Sequence, residues 1–146
     1  MDNVKKINDE ISVAMEQITP EQLQSAAKAG YRSVLNLRSP EEEGYLNEEE
    51  TEAGVAGLHY ANIPVKPNAM STELVDHICT QIDLLAKPVL THCKTGMRSG
   101  AIALMYIATR EGMSAEAAME KGKELGFNCD ASPQMKQFFQ NYLSEE

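Results

Sequence analysis

Four short apolar runs, each followed by a helical pattern, constrain this chain more than any other feature. ISVAM (11–15), SVLNL (33–37), LHYANIPV (58–65) and PVLTH (88–92) read as strands. After the first, Thr19-Pro20-Glu21-Gln22 opens a helix: threonine is the N-cap, proline takes the first helical position and glutamine closes a capping box. Gly30 stops it. Ser71 caps another helix, with Leu74, Val75, Ile78, Ile82 and Leu85 on one side. GAIALMYIAT (100–109) is apolar nearly all round, as a buried helix would be. Ser114 opens a further helix that ends at Gly126, and Ser132-Pro133 opens the last. Strands that alternate with helices bury both kinds of face by forming a parallel sheet with helices on each side. The expected fold is α/β: one domain, 1–146, with a central, mostly parallel sheet of four to five strands flanked by helices.

Pro40 to Glu52 interrupts this rhythm with seven glutamates. The pattern predicts a short exposed helix there, its acidic face solvated. The net charge is −9, so the chain repels nucleic acid and anionic membrane at long range, and any anion site must be positive locally. With no tryptophan and 5% aromatic residues, a stacking platform for single-stranded nucleic acid is not expected. No apolar run approaches the ~20 residues of a membrane span. The expectation is a cytoplasmic chain, or a periplasmic one if a leader precedes it. Its partners would be a phosphate-bearing substrate or a small oxyanion, with neither nucleic acid nor membrane. Three cysteines with no CxxC pair argue against a disulfide framework and a zinc site. Neither metal nor cofactor is expected. Cys79 falls inside a helical pattern and reads as a small buried hydrophobe.

Cys93 is different. It ends the most apolar strand and precedes the most apolar helix, in THCKTGMRSG (91–100). A strand–loop–helix turn aims several backbone N–H groups at one point, and the helix start adds a positive dipole end. The loop Lys94, Thr95, Gly96, Met97, Arg98 and Ser99 can therefore bind a tetrahedral anion. Gly96 supplies the positive φ such a turn needs, and Arg98 a planar fork for two oxygens. The same field favours Cys93 as thiolate, a nucleophile for phosphorus or sulfur. Such a thiol is expected to oxidise first among the three cysteines, ahead of Cys79 and Cys129, since exposure and low pKa set susceptibility. Ser99 can donate a hydrogen bond to the sulfur. His92 is expected to bond the backbone behind the loop. Asn36 and Arg38 end a strand that should lie beside the loop and brace it, and Lys66 and Lys94 could add positive charge at its rim.

HCKTGMRS resembles the catalytic loops of cysteine-dependent phosphatases and rhodaneses. QITPEQLQSAAKAGYRSVLNLRSPEEE, AGLHYANIPV and KPVLTHCKTGMRSG together resemble, in order, the small bacterial phosphatase-like domain also found fused to beta-lactamase-hydrolase-like enzymes. The resemblance implies a dual-specificity-phosphatase-like fold, nucleophile Cys93, phosphate-binding Arg98 and loop amides from Lys94 to Ser99. It implies a cysteine-dependent phosphatase of phosphate monoesters, including aryl phosphates such as phosphotyrosine. The chain departs from the pattern in three places. Gln17 is flanked by Glu16 and Ile18, where the group has glycine and proline. The loop after IPV has Asn68, where related phosphatases use an aspartate general acid, so the acid is unassigned. Glu41, Glu42, Glu43 and Asp76 are the candidates. Four residues separate Cys93 from Arg98, the spacing of rhodaneses, whereas phosphatases of the broader superfamily have five. A persulfide-carrying sulfurtransferase and a non-catalytic anion-binding module therefore stand as alternatives.

Overall fold

The computed structural model describes residues 3–66, 70–127 and 133–144. The strands are β1 (Val4–Lys6), β2 (Ile11–Ala14), β3 (Ser33–Asn36), β4 (His59–Asn62) and β5 (Val89–His92). The helices are α1 (Pro20–Lys28), α2 (Glu49–Val55), α3 (Thr72–Leu84), α4 (Met97–Glu111), α5 (Ala115–Leu125) and α6 (Pro133–Ser144). The five strands form one sheet in the order β1-β2-β5-β3-β4. All neighbours are parallel except β1, which pairs antiparallel with β2.

β5 lies at the centre, and all four of its residues are buried, as its apolar sequence requires. Alternate residues face opposite layers. Ile11, Val13, Leu35 and Val89 join the larger core under α3, α4, α5 and α6. Ala14, Val34 and Leu90 join Leu23 and Ala26 of α1 and Ala53 of α2 on the other face. Thr19 caps α1 with the full capping box, and Ser71 and Ser114 cap α3 and α5 through their hydroxyls. Cys79 is 2% exposed, and burial pushes its thiol up to about 11, as for a packed hydrophobe.

Three boundaries differ from the sequence reading. β1 was not anticipated, because an edge strand carrying Lys5 and Lys6 has no apolar alternation to reveal it. The fourth-strand segment is shorter than 58–65: Pro64 has no N–H to give, and past Asn62 the pairing continues only through the N–H groups of Ile63 and Val65, donated to the carbonyls of Asn36 and Leu37. The acidic segment is helical only from Glu49, and its charged face is not uniformly solvated. Glu49 is 2% exposed, and the Glu42 side chain 22% exposed.

α4 packs closely enough to be tested. A Cβ at Gly100 would lie 2.6 Å from the ring of Phe127, itself 1% exposed. Helix propensity favours alanine by about 1 kcal/mol, but overpacking costs about 1–3 kcal/mol. Gly100→Ala should therefore lower the melting temperature by roughly 5 °C. An unchanged or raised value would mean that the ring moves aside freely.

Candidate active site

Sheet register places the loop. Ala14 of β2 pairs with His92 of β5, His92 with Asn36 of β3, and Asn36 with Asn62 of β4. This row ends the parallel strands together, so the segments leaving β2, β3 and β4 border Cys93, which follows His92. Ligands of open parallel sheets bind at this edge.

Gly96 sets the turn. Its φ is +89°, and a Cβ there would lie 2.8 Å from Met15 Sδ and 3.2 Å from Met15 Cα. Only glycine fits that approach at that dihedral. The Gly96 N–H donates to Cys93 Sγ at 3.2 Å. Gly96 is also the N-cap of α4, which starts at Met97 and not at Gly100. Arg98 and Ser99 therefore stand in the first turn of a buried helix. Lys94 and Thr95 are exposed at the tip. Cys93 itself is 1% exposed, so the exposure on which preferential oxidation would rest is not found. Cys129 and Asn68 lie outside the described residues.

Arg98 is 8% exposed and its fork is partly used. Nη1 donates to Glu42 Oε2 at 2.8 Å and to the Val65 carbonyl at 2.7 Å, and Nη2 donates to Glu42 Oε1 at 2.9 Å. Of the five guanidinium N–H groups, those on Nε and the second on Nη2 are left, enough for two oxygens of an anion. Glu42, and beside it the Cys93 sulfur, hold Arg98 more firmly charged. Glu42 also accepts from Arg38 Nε at 3.2 Å.

Asn36 and Arg38 bond the turn after β3 and its neighbours, and Arg38 reaches the loop only through Glu42, which it shares with Arg98. Asn36 Oδ1 accepts from the Arg38 N–H at 2.9 Å, and Asn36 Nδ2 donates to Tyr60 Oη at 3.0 Å. Arg38 is 2% exposed and also donates to Gln17 Oε1 at 2.7 Å and to the carbonyls of Glu43 and Gly44. Leu37 N–H donates to the His92 carbonyl at 3.0 Å, tying the end of β3 to β5, the strand before Cys93.

His92 departs from expectation. Its ring does not bond the loop backbone. Nε2 lies 2.6 Å from Glu49 Oε2 of α2, because residue 92 faces the α1/α2 layer. A carboxylate can only accept, which puts the ring hydrogen on Nε2. His92 Nδ1 and Ser99 Oγ are buried without a hydrogen-bond partner. The expected Ser99 bond to sulfur is thus not made. Buried unpaired atoms are scarce in folded proteins and gather where function needs them; these two sit in the loop sequence on either side of Cys93.

The candidate acids scatter. Glu41 is exposed, accepts from Ser39 Oγ and stands 3.7 Å from Lys66 Nζ at the rim. Glu43 is exposed and offers only its carbonyl, to Arg38. Asp76 accepts from Tyr142 Oη of α6 at 2.6 Å. Glu42 is the candidate brought to the loop, but Arg98, then the Ser39 N–H and last Arg38 hold its carboxyl down to about 2 against the opposing effect of burial, so near neutrality it carries no proton to give. Among the described residues, no group of three or more His, Cys, Asp or Glu is placed to hold a metal ion.

The chain matches, over residues 3–109, the family described as beta-lactamase hydrolase-like protein, phosphatase-like domain. It belongs to this family. A Xylella fastidiosa relative named beta-lactamase hydrolase-like protein is 30% identical over 123 residues, covering 82% of this chain and 27% of that protein. An Agrobacterium fabrum relative of the same name is 25% identical over 130 residues, covering 87% of this chain and 30% of that protein. The phosphatase-like domain therefore spans less than a third of the length of these relatives. Among solved structures, Tk-PTP in the active form superposes with a TM-score of 0.82 at 21% identity, over 99% of this chain and 98% of that one. P. aeruginosa TpbA in complex with pTyr superposes with a TM-score of 0.75 at 15% identity, over 99% of this chain and 91% of that one. These likenesses establish the expected protein-tyrosine and dual-specificity-phosphatase-like fold.

Two residues of the site escaped the sequence reading of this phosphatase-like domain. Glu49 was hidden in the glutamate run, although Ala53 one turn later is buried and i,i+4 neighbours share a face. Gln17 stood out only as a departure in its flanks. No helix among the described residues is long and apolar enough to cross a membrane.

The ion cluster makes a pH prediction. The folded value of Glu42 lies below its ordinary 4.5. Its contribution to stability is therefore present above about pH 4.5 and is lost as pH falls toward about 2. Water still reaches the carboxylate, so the contribution is about 1 kcal/mol. Glu42→Gln should melt several degrees below wild type at pH 7, and the gap should narrow below about pH 4.5 and close only as pH falls past about 2. A gap independent of pH would mean that charge is not what holds Glu42.

Proposed function

We propose that this phosphatase-like domain is a cysteine-dependent phosphatase of phosphate monoesters, aryl esters foremost. The observation that carries the reading is convergence on one sulfur: Cys93 ends the central parallel strand, the Gly96 N–H donates to it, and Arg98 stands beside it with one edge of its fork unused. The family and the fold support the same reading. That a fold relative, TpbA, has been captured with pTyr supports an aryl ester.

In the proposed reaction the Cys93 thiolate attacks phosphorus, the bond from phosphorus to the aryl oxygen breaks, and the aryloxide leaves. The loop amides from Lys94 to Ser99 and the free edge of Arg98 hold the non-bridging oxygens where charge accumulates. Water then attacks the phosphocysteine, the sulfur–phosphorus bond breaks, and inorganic phosphate departs. The Ser99 hydroxyl, unpartnered before substrate arrives, bonds the leaving sulfur. With Glu42 held as a carboxylate, no acid is assigned to the leaving oxygen. Substrates whose leaving groups need no proton should react fastest, since general acid catalysis is worth typically about 10²–10⁴-fold.

The four-residue loop favours a second reading, a sulfurtransferase that carries a persulfide on Cys93. One preparation, with Cys93→Ser beside it, decides between them. Aryl phosphate hydrolysis that depends on Cys93 supports the phosphatase. Thiosulfate-to-cyanide transfer alone overturns it, and phosphate or sulfate binding without either turnover marks an anion-binding module.

A further inference from the structure

One unbroken chain of side-chain hydrogen bonds joins the two ends of the cysteine loop. His92 Nε2 meets Glu49 Oε2 at 2.6 Å, and Glu49 Oε1 accepts from Gln17 Nε2 at 2.6 Å. Gln17 Oε1 accepts from Arg38 Nη1 at 2.7 Å, Arg38 Nε donates to Glu42 Oε1 at 3.2 Å, and Glu42 takes both terminal nitrogens of Arg98. Two helices, α2 and α4, the end of β5 and the segments that follow β2 and β3 contribute to it. Every link runs from a donor to an acceptor with no conflict. Glu49 and Glu42 only accept, the arginines only donate, and Gln17 does one of each.

We propose that Gln17 and Glu49 are positioning residues of the Cys93 site: together they transmit the hold of Arg38 to His92, so that the residue before the nucleophile and the phosphate-binding arginine are fixed as one unit. This rests on the phosphatase reading for its kinetic effect, though not for its geometric one. Neither residue touches the sulfur. Their effect passes through the His92 ring, which is fully buried, and through the guanidinium of Arg38.

The donor order gives a specific test. Glu49→Gln puts an amide where two acceptors are needed, so either His92 or Gln17 then faces a donor with a donor. Gln17→Glu puts a carboxylate against Glu49 Oε1. Made together, the two substitutions exchange roles and restore each link of the chain, leaving only the Ile18 carbonyl without the Gln17 Nε2 donor it has at 3.0 Å in the wild type: Arg38 donates to the new carboxylate at 17, the new amide at 49 donates to it as well, and His92 donates to the amide oxygen. Each single variant should lower kcat for an aryl phosphate by about 10–100-fold, with KM changed by less than about threefold. The double variant should recover to within about fivefold of wild type. Gln17→Met, at a half-buried position, removes both links of the Gln17 amide to the chain without adding a charge and serves where Glu49→Gln folds poorly. Glu50→Gln on the exposed side of α2 is the neutral control.

A second readout needs no turnover. Iodoacetamide alkylation of Cys93, followed by peptide mass spectrometry, should quicken by about fivefold or more in each single variant as the loop loosens, and slow again in the double. Wild-type protein that turns over no phosphate ester would remove the phosphatase reading, and the alkylation series would still decide this inference. Single variants that match wild type in kcat and in alkylation would overturn it, as would losses that follow melting temperature and that the double variant fails to reverse.

Discussion

Cys93→Ser is expected to abolish hydrolysis of p-nitrophenyl phosphate, lowering kcat by about 10⁴-fold or more. The serine oxygen is smaller than sulfur but accepts hydrogen bonds better, so the Gly96 N–H should keep a partner and the loop its shape. What is lost is the nucleophile: a hydroxyl with no adjacent base is a poor one. The variant should still bind phosphate with little change in Kd, because the loop amides and Arg98 remain. That separation of binding from turnover is the signature of covalent catalysis. It is measured by steady-state kinetics beside phosphate titration. A variant that retains more than a few per cent of activity would show that some other group attacks phosphorus, and the mechanism proposed above would fail.

Arg98→Lys should be nearly as damaging, at about 10²–10³-fold in kcat. The substitution keeps a positive charge beside Glu42 and the first turn of α4, so folding should survive. It removes the planar fork. Arg98 bonds Glu42 and the Val65 carbonyl, and in the proposed mechanism its other edge takes an oxygen of the substrate. An ammonium cannot serve both sides at once. The loss should fall mainly on kcat, since charge accumulates on the non-bridging oxygens in the transition state. A lysine variant that works as well as wild type would mean that only the charge of Arg98 matters, and that the edge left by Glu42 is not where the anion sits.

These two effects frame the part of Glu42. A carboxylate beside a proposed anion site opposes an anion by itself, but its partners outweigh it. Two guanidiniums share it, so the cluster of Arg38, Glu42 and Arg98 carries a net positive charge. The exposed Lys94 lies close by on the loop tip. The local field can therefore favour an anion while the whole molecule carries −9.

Much of this was written in the order of residues. The alternation of apolar runs with capped helices dictates a parallel sheet, because each element has one face to bury and the connections are short. The position of Cys93 follows as well: a residue directly after the most apolar strand and before the most apolar helix has to lie at the carboxyl edge of the centre of such a sheet. Arg98 and Gly96 are legible from the same ten residues, because the turn needs one positive φ and the anion needs one fork. Local chemistry within a short span is readable from sequence.

What only the tertiary structure decided is which distant side chains meet there. Seven glutamates between Pro40 and Glu52 look alike in sequence, yet Glu42 is clamped between two arginines and Glu49 is buried against His92, while Glu41 and Glu43 face water. The difference comes from the direction in which each backbone segment leaves the sheet. The turn after β3 folds back over Arg38, and α2 presents its first residue to the layer that His92 faces. Charge favours water in general, and burial reverses that preference only where donors are already waiting. Those donors, on Gln17, Arg38, His92 and Arg98, come from three separate stretches of the chain that only the folded sheet brings together.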